Sequence, residues 1–151
     1  MDNYTFKQLG EGHFEQMAAF YRDVFSSSPW NDDWSDSKQL MAYIKDIAGC
    51  WNSLTYALYN GSEMIALAFG CIRHWWGGTE YVIEEFCVSA KMQGRGIGSS
   101  FLKLIEDEIK KQGMNGIYLC TERDKPAYDF YIKNGFEPMP NHISFYKSLK
   151  V

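Results

Sequence analysis

The stretch 88–101, VSAKMQGRGIGSSF, constrains the fold more than any other part of the sequence. It joins a strand-like run to a helical one, with glycine at 94, 96 and 98. Glycine inside a helix costs about 1 kcal/mol relative to alanine, so three together are wasteful unless the backbone must touch something. The unpaired N–H groups and the dipole of a helix start favour an anion, and Arg95 adds a positive charge. The stretch therefore predicts a strand, glycine loop and helix that bind a phosphate-like group.

Hydrophobic periodicity predicts the elements around this loop. Consecutive strands come first, with a strong hairpin signal at Asn60-Gly61, and then strands and helices alternate. This order predicts an α/β fold around one mixed, mainly antiparallel sheet with a parallel step. With no linker in the chain, we expect a single domain over residues 1–151. The predicted strands are 4–9, 54–59, 64–73, 80–88, 116–120 and 143–149. The predicted helices are one that carries Phe14, Met17, Ala18, Tyr21 and Phe25 and ends at 26–29, one capped by Asp36 or Ser37 that carries Leu40, Met41, Ile44 and Ile47, one with the apolar stripe Ile97, Phe101, Leu104, Ile105 and Ile109, and 126–134.

The composition narrows the classes of partner. The net charge of −4 argues against nucleic acid and anionic membranes, which both prefer a basic face. No apolar run is long enough to span a bilayer, and the N-terminal residues do not resemble a signal peptide. The 4 cysteines and 3 histidines are scattered without metal-ligand spacing, which favours reduced, buried cysteines and no metal site. We therefore expect a cytoplasmic protein, either a monomer or a homodimer.

Three motifs give the loop a more specific meaning. Gln93 to Gly98 fits the pattern Gln-x-x-Gly-x-Gly, whereas the Walker loop and the dinucleotide fingerprint both fail here. Residues 127–136, AYDFYIKNGF, fit A-x-x-F-Y-x-x-x-G-F, and residues 83–88, IEEFCV, form the strand before the loop. With these motifs in this order the chain resembles the GNAT superfamily of acyl-CoA-dependent N-acyltransferases.

The resemblance implies acetyl-CoA as co-substrate. It implies flanking helices and a splayed parallel pair of strands, 83–88 and 117–120, with the pantetheine arm between them and the pyrophosphate on the glycine loop. Family members often carry an asparagine where this chain has Asp124, so that contact is lost, water-mediated or taken over by Arg123 or Lys125. Tyr128 is placed either against the coenzyme or in packing toward the acceptor. The implied coenzyme-binding residues are Phe86, Cys87, Val88, Gln93, Gly94, Arg95, Gly96, Ile97, Gly98, Ser99, Asp124 and Tyr128.

Two catalytic residues follow from the resemblance. Tyr131 occupies the general-acid position and would protonate the leaving thiolate. Glu84 is favoured over Glu85 as the base, although a bulge in this strand would weaken the argument from alternating faces. The alternative readings are a packed tyrosine and ordinary solvated carboxylates. Cys87 is interpreted as structural, because the family transfers the acyl group directly.

The acceptor is expected to be a cationic small molecule. The loop 28–36, SPWNDDWSD, mixes tryptophans with carboxylates, which suits a cation. A second cluster combines His74, Trp75 and Trp76 with Glu80. The expected substrate residues are Trp30, Asp33, Trp34, Glu80 and Glu85. Part of the aminoglycoside 6'-acetyltransferase group resembles this arrangement; the alternatives are a protein N-terminus or lysine as acceptor, and a module that senses acyl-CoA without turnover.

Overall fold

The structure is a computed structural model that describes residues 3–150. The chain divides into two compact units, residues 1–120 and 121–151. Each unit is described by itself below. The expectation of one domain over residues 1–151 stays a prediction.

Within residues 3–120, five strands form one sheet in the order β1-β2-β3-β4-β5. The neighbouring pairs from β1 to β4 are antiparallel, and β4 and β5 are parallel. The predicted mixed, mainly antiparallel α/β fold is thereby confirmed. The strands are β1 (Tyr4–Leu9), β2 (Thr55–Asn60), β3 (Glu63–Trp75), β4 (Gly78–Val88) and β5 (Gly116–Leu119).

Three helices of this unit pack against the sheet: α1 (Phe14–Phe25), α2 (Ser37–Ala48) and α3 (Ile97–Lys111). Asp36 caps α2, since its Oδ1 accepts hydrogen bonds from the backbone N–H groups of Lys38 and Gln39 at 3.0 and 3.1 Å. The rings of Tyr21 and Phe69 join α1 to β3. The ring of Phe101 on α3 packs against Phe86 of β4. The core therefore lies on both faces of the sheet.

The apolar stripe of α3 differs from the predicted one at one position. Ile97, Phe101, Ile105 and Ile109 are buried as expected, but Leu102 is buried at 1 % exposure and Leu104 is 40 % exposed. At 100° per residue, Leu102 and Leu104 both lie about 80° from the centre of the stripe formed by the four isoleucine and phenylalanine residues, so the spacing alone does not decide which leucine is buried.

A bulge in the β3–β4 ladder changes which way β4 side chains point. Phe69 pairs with Glu85 and the next residue, Gly70, pairs with Ile83, so Glu84 is the extra residue. Upstream of the bulge, Tyr81 meets Tyr56, whose hydroxyl accepts a hydrogen bond from Gln112 at the end of α3. Strict alternation from Tyr81 would place Glu85 on that same face. Because of the bulge, Glu85 points instead to the face covered by α1 and α2.

The second unit contains α4 (Pro126–Lys133), which begins with proline in its first turn. It ends at Lys133, and Gly135, which follows its C-cap Asn134, adopts a φ of +87°. The strand predicted over 143–149 is wrong: residues 143–149 have no regular secondary structure. The alternating pattern is real, but a strand also needs a hydrogen-bonding partner. The exposed side chains include Ile143, Phe145, Tyr146 and Leu149, at 76 to 92 % exposure.

The bulge yields a stability prediction at Gly70. A Cβ built on Gly70 would overlap the ring of Tyr81, which is fully buried and whose hydroxyl donates to the Leu54 carbonyl at 2.9 Å. We expect Gly70→Ala to lower the free energy of unfolding by about 1–3 kcal/mol, the usual cost of overpacking. Gly10→Ala is the matched control, because a Cβ there meets nothing within 4 Å. Equal urea midpoints for the two variants would contradict the packing described.

Candidate active site

The glycine loop joins β4 to α3 as the sequence predicts. A short 3-10 turn, Ala90–Met92, follows β4, and α3 begins at Ile97 with Gly96 as its N-cap. Gly94 and Gly96 have φ values of +74° and +77°, which L side chains rarely adopt. A Cβ at either glycine would meet nothing within 4 Å, so the structure around them is open.

The local hydrogen bonds of this loop leave backbone N–H groups at the start of α3 that could bind an anion. The side chain of Gln93 donates to the Val88 carbonyl at 3.1 Å and ties the loop to the end of β4. The first bond of α3 runs from the N–H of Ser100 to the carbonyl of Gly96 at 3.1 Å. The N–H groups of Ile97, Gly98 and Ser99 precede it, so they have no carbonyl of their own helix to bind. Arg95 is exposed beside them.

The parallel ladder between β4 and β5 ends just before the loop. It runs from Glu80 with Gly116 to Ile83 with Leu119 and goes no further. Glu85 to Val88 continue to pair with β3, so β4 stays regular on its other side. The described part of β4 and β5 therefore matches the splayed pair that the resemblance implies.

Cys87 is a core residue. It is 5 % exposed, and its thiol donates a weak hydrogen bond to the Leu67 carbonyl at 3.7 Å. Burial raises the pKa of the Cys87 thiol, and the nearby Glu85 raises it further. A thiol held protonated is a poor nucleophile, which supports the structural interpretation.

Glu85 lies in an aromatic cage on the α1–α2 face. Its Oε1 accepts hydrogen bonds from the hydroxyls of Tyr43 at 2.6 Å and Tyr21 at 3.2 Å. The Trp34 ring stacks on Tyr43, with centroids 5.4 Å apart, and meets Tyr21 edge-on at 5.5 Å. Burial raises the pKa of Glu85, while the two phenol hydrogen bonds lower it.

Glu84 has the opposite environment. It is the bulged residue of β4 and its side chain is exposed. Its charge contributes to raising the pKa of both Tyr43 and Cys71, so it lies close to the cage without being part of it. The two carboxylates thus differ in exposure and direction, although they are neighbours in sequence.

The remaining acceptor residues are not all brought together. Trp34 lies in the cage, and Trp30 packs beside it on Phe25, with centroids 5.5 Å apart. Asp33 is exposed, and its Oδ1 accepts a hydrogen bond from the N–H of Ser35 at 3.0 Å. Hydrogen bonding to the side chain of Ser35 and to this N–H lowers the pKa of Asp33. Glu80 is held elsewhere on the sheet by Arg73, whose guanidinium approaches to 2.7 Å.

The second unit holds the other predicted residues. Tyr131 on α4 is 9 % exposed and packs against the rings of Phe130 and Phe136, both at 5.2 Å. Tyr128 is half-buried and lies under the guanidinium of Arg123 at 5.7 Å, while Asp124 is exposed. The roles assigned to Tyr131, Tyr128 and Asp124 stay predictions.

Sequence reasoning missed the part that Tyr21 and Tyr43 play in this site. Tyr21 reads as one more apolar residue of α1. Tyr43 is not among the apolar residues predicted for α2, although it stands three residues after Leu40 and four before Ile47. The available signal was that a buried tyrosine hydroxyl needs a hydrogen-bond partner. The sequence does not show which residue supplies it.

The cysteines and the possible metal ligands form neither disulfides nor a metal-binding cluster in the described part of the chain. All 4 cysteines are free, but Cys50 and Cys120 are exposed, so the expectation of buried cysteines holds fully only for Cys87. Among residues 3–150, no group of three or more His, Cys, Asp or Glu side chains is placed to hold a metal ion. In the same residues, no helix has both the length and the apolar character needed to cross a membrane.

The family follows from comparison with known proteins. The model of the acetyltransferase (GNAT) family matches residues 14–136, which include the glycine loop, β4 and α4. This chain belongs to the GNAT acetyltransferase family. GNAT enzymes use acetyl-CoA as co-substrate.

Three similar proteins place this GNAT domain among known ones. Over 69 residues the chain is 35 % identical to the tRNA(Met) cytidine acetyltransferase TmcA 2 of Saccharolobus solfataricus, covering 46 % of this chain and only 9 % of that protein. An aminoglycoside acetyltransferase from an uncultured soil metagenomic sample, solved with sisomicin, has a TM-score of 0.75 at 16 % identity, covering 97 % of both chains. Aminoglycoside N-acetyltransferase AAC(6')-Iy, solved with the bisubstrate analogue CoA-S-monomethyl-acetylneamine, has a TM-score of 0.72 at 16 % identity, covering 98 % of this chain and 99 % of its own. At such identities the structural likeness shows the fold.

The environment of Glu85 predicts a pH dependence of stability. As pH rises through the ordinary carboxyl value of about 4.3, the unfolded chain releases this proton while the folded chain keeps it. The contribution of Glu85 to stability is therefore fully present at lower pH. It falls with rising pH until the raised pKa of the folded state is passed, and then stays constant.

Glu85→Gln removes this titration. The free energy of unfolding of wild type minus that of the variant should therefore decrease between about pH 4 and pH 7. Urea unfolding of both proteins across this range measures the difference. A difference that stays constant or increases with pH would show that the cage does not raise the pKa of Glu85.

Proposed function

We propose that this chain transfers an acetyl group from acetyl-CoA to a primary amine of a small cationic molecule, of the aminoglycoside or polyamine kind. The observation that carries the proposal is the end of the β4–β5 ladder at Ile83, after which β4 continues to Val88 and leads into the glycine loop. Backbone groups of Cys87 and Val88 would pair with the pantetheine arm as if it were an added strand. The pyrophosphate would then meet the helix start between Gln93 and Ser99.

The acceptor proposal rests on the aromatic and acidic side chains near Glu85. Trp34, Tyr21 and Tyr43 surround one carboxylate, and the exposed Asp33 lies in the same loop as Trp34. Such a mixture favours an ammonium through cation–π contacts and charge-assisted hydrogen bonds. The aminoglycoside acetyltransferases with this fold agree with such an acceptor.

The chemistry needs one base and one acid. The acceptor ammonium first loses a proton, for which we propose Glu84, directly or through a water. The neutral amine attacks the thioester carbonyl, and the N–H of Cys87 or Val88 would stabilise the oxyanion. The C–S bond then breaks, and the thiolate takes a proton from Tyr131. The nitrogen loses its extra proton to solvent as the amide forms, and Tyr131 regains a proton from solvent. The products are an acetamide and free coenzyme A.

Thiol release from acetyl-CoA tests this function and its coenzyme site together. We expect release with a panel of aminoglycosides and polyamines, and none with Gly96→Val, whose side chain blocks the approach of the pyrophosphate. Gly113→Val is the matched control: Gly113 also has a positive φ and open space, but it follows the other end of α3. Both variants carry a similar backbone strain of about 1–2 kcal/mol.

Equal acetyl-CoA affinity of the two valine variants, measured by calorimetry, would show that the coenzyme does not bind at the glycine loop. Intact acetyl-CoA affinity with no thiol release for any amine would favour the sensing module. Acetylation of peptides alone would favour a protein N-terminus or lysine as acceptor.

The pH dependence of activity distinguishes Glu84 from Glu85 as the base. Glu84→Gln should lose most activity at low pH, where few acceptor amines are neutral, and should recover as pH rises. Glu85→Gln lies one residue along the strand and serves as its matched comparison. If rising pH rescues kcat of Glu85→Gln and not of Glu84→Gln, the roles of the two carboxylates are reversed.

Tyr131→Phe keeps the packed ring and removes the phenol proton. We expect unchanged acetyl-CoA affinity, with kcat lower by about 10²–10⁴-fold, the usual value of general acid catalysis. A thioester with a more acidic thiol should narrow the gap, because its thiolate needs less help to leave. Full turnover of this variant with acetyl-CoA would leave Tyr131 as a packing residue.

A further inference from the structure

The two phenols that hold Glu85 bind only one of its oxygens. Tyr43 and Tyr21 reach it from two different helices, and both donate to Oε1. A carboxylate offers about four acceptor sites on its two oxygens, so this arrangement fixes the group while the phenols leave Oε2 to another donor. Two tyrosines converging on one oxygen set the direction of the whole carboxylate.

Holding a carboxylate among aromatic rings is costly. Desolvation disfavours the charged form and is the largest effect on the pKa of Glu85. The phenol hydrogen bonds favour the charged form and lower this pKa. Next to it, the indole Nε1 of Trp34 is buried with no hydrogen-bond partner among the described residues. A core built only for stability avoids both features, and together they are typical of a binding site.

The charges around Glu85 leave a cation as the natural partner. Tyr21 faces Glu85 from α1, Tyr43 from α2 and Asp32 from the loop between these two helices. Glu84 and Cys87 are its neighbours on β4 itself. None of these five groups carries a positive charge. An ammonium reaching Oε2 would meet three carboxylates and aromatic faces, in a setting drier than bulk water.

We propose that Tyr21 and Tyr43 are positioning residues that hold Glu85 to bind an ammonium of the acceptor, which makes the enzyme selective for acceptors with at least two amino groups. The amine that reacts must be neutral, so the ammonium held at Glu85 belongs to a second amino group. This inference rests on the proposed function and names the feature of the acceptor that the site recognises.

The test compares acceptors and variants by their KM and kcat. The acceptors are an aminoglycoside, 1,4-diaminobutane and 4-amino-1-butanol, which replaces the second amino group of the diamine by a hydroxyl. The variants are Tyr43→Phe and Tyr21→Phe. The matched control is Tyr59→Phe, a buried tyrosine whose hydroxyl donates to Gln16 at 2.9 Å, away from Glu85.

For the acceptors with several amino groups, Tyr43→Phe should raise KM about tenfold, the value of one hydrogen bond to a charged group, with little change in kcat. The effect should be larger at lower pH, because losing the phenol donor raises the pKa of Glu85 further. Glu85→Gln should raise KM by a similar or larger factor without that pH dependence. Tyr59→Phe should keep the wild-type KM throughout.

Two results would overturn the inference. The first is a Tyr43→Phe enzyme whose KM equals that of Tyr59→Phe at every pH. The second is a wild-type enzyme that uses the amino alcohol as well as the diamine. If no amine gives thiol release while acetyl-CoA binds, the proposed function fails instead, so the two failures are distinguishable.

Discussion

The extra residue in β4 is the constraint on which the candidate site depends. At Glu84 the strand carries one residue more than β3 opposite it, and this shift turns Glu85 from the α3 face to the α1–α2 face. Gly70, the β3 residue after the shift, fits only because it lacks a side chain where the ring of Tyr81 lies. The same few residues thus fix the bulge and the direction of Glu85.

In the proposed function, the binding surface is the edge of β4 beyond the end of the β4–β5 ladder. The parallel pair stops at Ile83 and Leu119, and the backbone of β4 then continues to the glycine loop and the start of α3. A ligand with an extended, amide-containing arm and an anionic end suits such a surface, because strand edges bind amides and helix starts bind anions. The GNAT family match and the co-substrate of the family agree with this reading.

Local patterns in the sequence predicted much of the fold. Helix α1 carries the predicted residues Phe14 to Phe25, Asp36 caps α2 as one of two candidates, and Gly94 and Gly96 stand before α3, with Gly98 in its first turn. These features depend on spacing, capping and glycine conformation, all of which are short-range. The motif at Gln93 to Gly98 gave the family for the same reason.

The features that the sequence analysis did not predict depend on contacts between residues that are far apart in the chain. Whether 143–149 pairs as a strand depends on a neighbouring edge, and the pattern alone could not supply one. The bulge depends on the fit of Gly70 against Tyr81, and the cage depends on α1 and α2 bringing two hydroxyls to β4. The difference between Glu84 and Glu85 is therefore a property of the fold, and the sequence could only name both.

The most direct test of the central claim is amide hydrogen exchange of the full chain with and without coenzyme A. We expect coenzyme A to slow exchange at the amides of Cys87, Val88 and residues 94–99. Exchange in β1 and β2 should stay unchanged. The amides of Ile117 to Leu119, on the other side of the splayed pair, should change together with them. Coenzyme A binding that leaves the amides of residues 87–99 unaffected would contradict the account, because the coenzyme would then lie elsewhere.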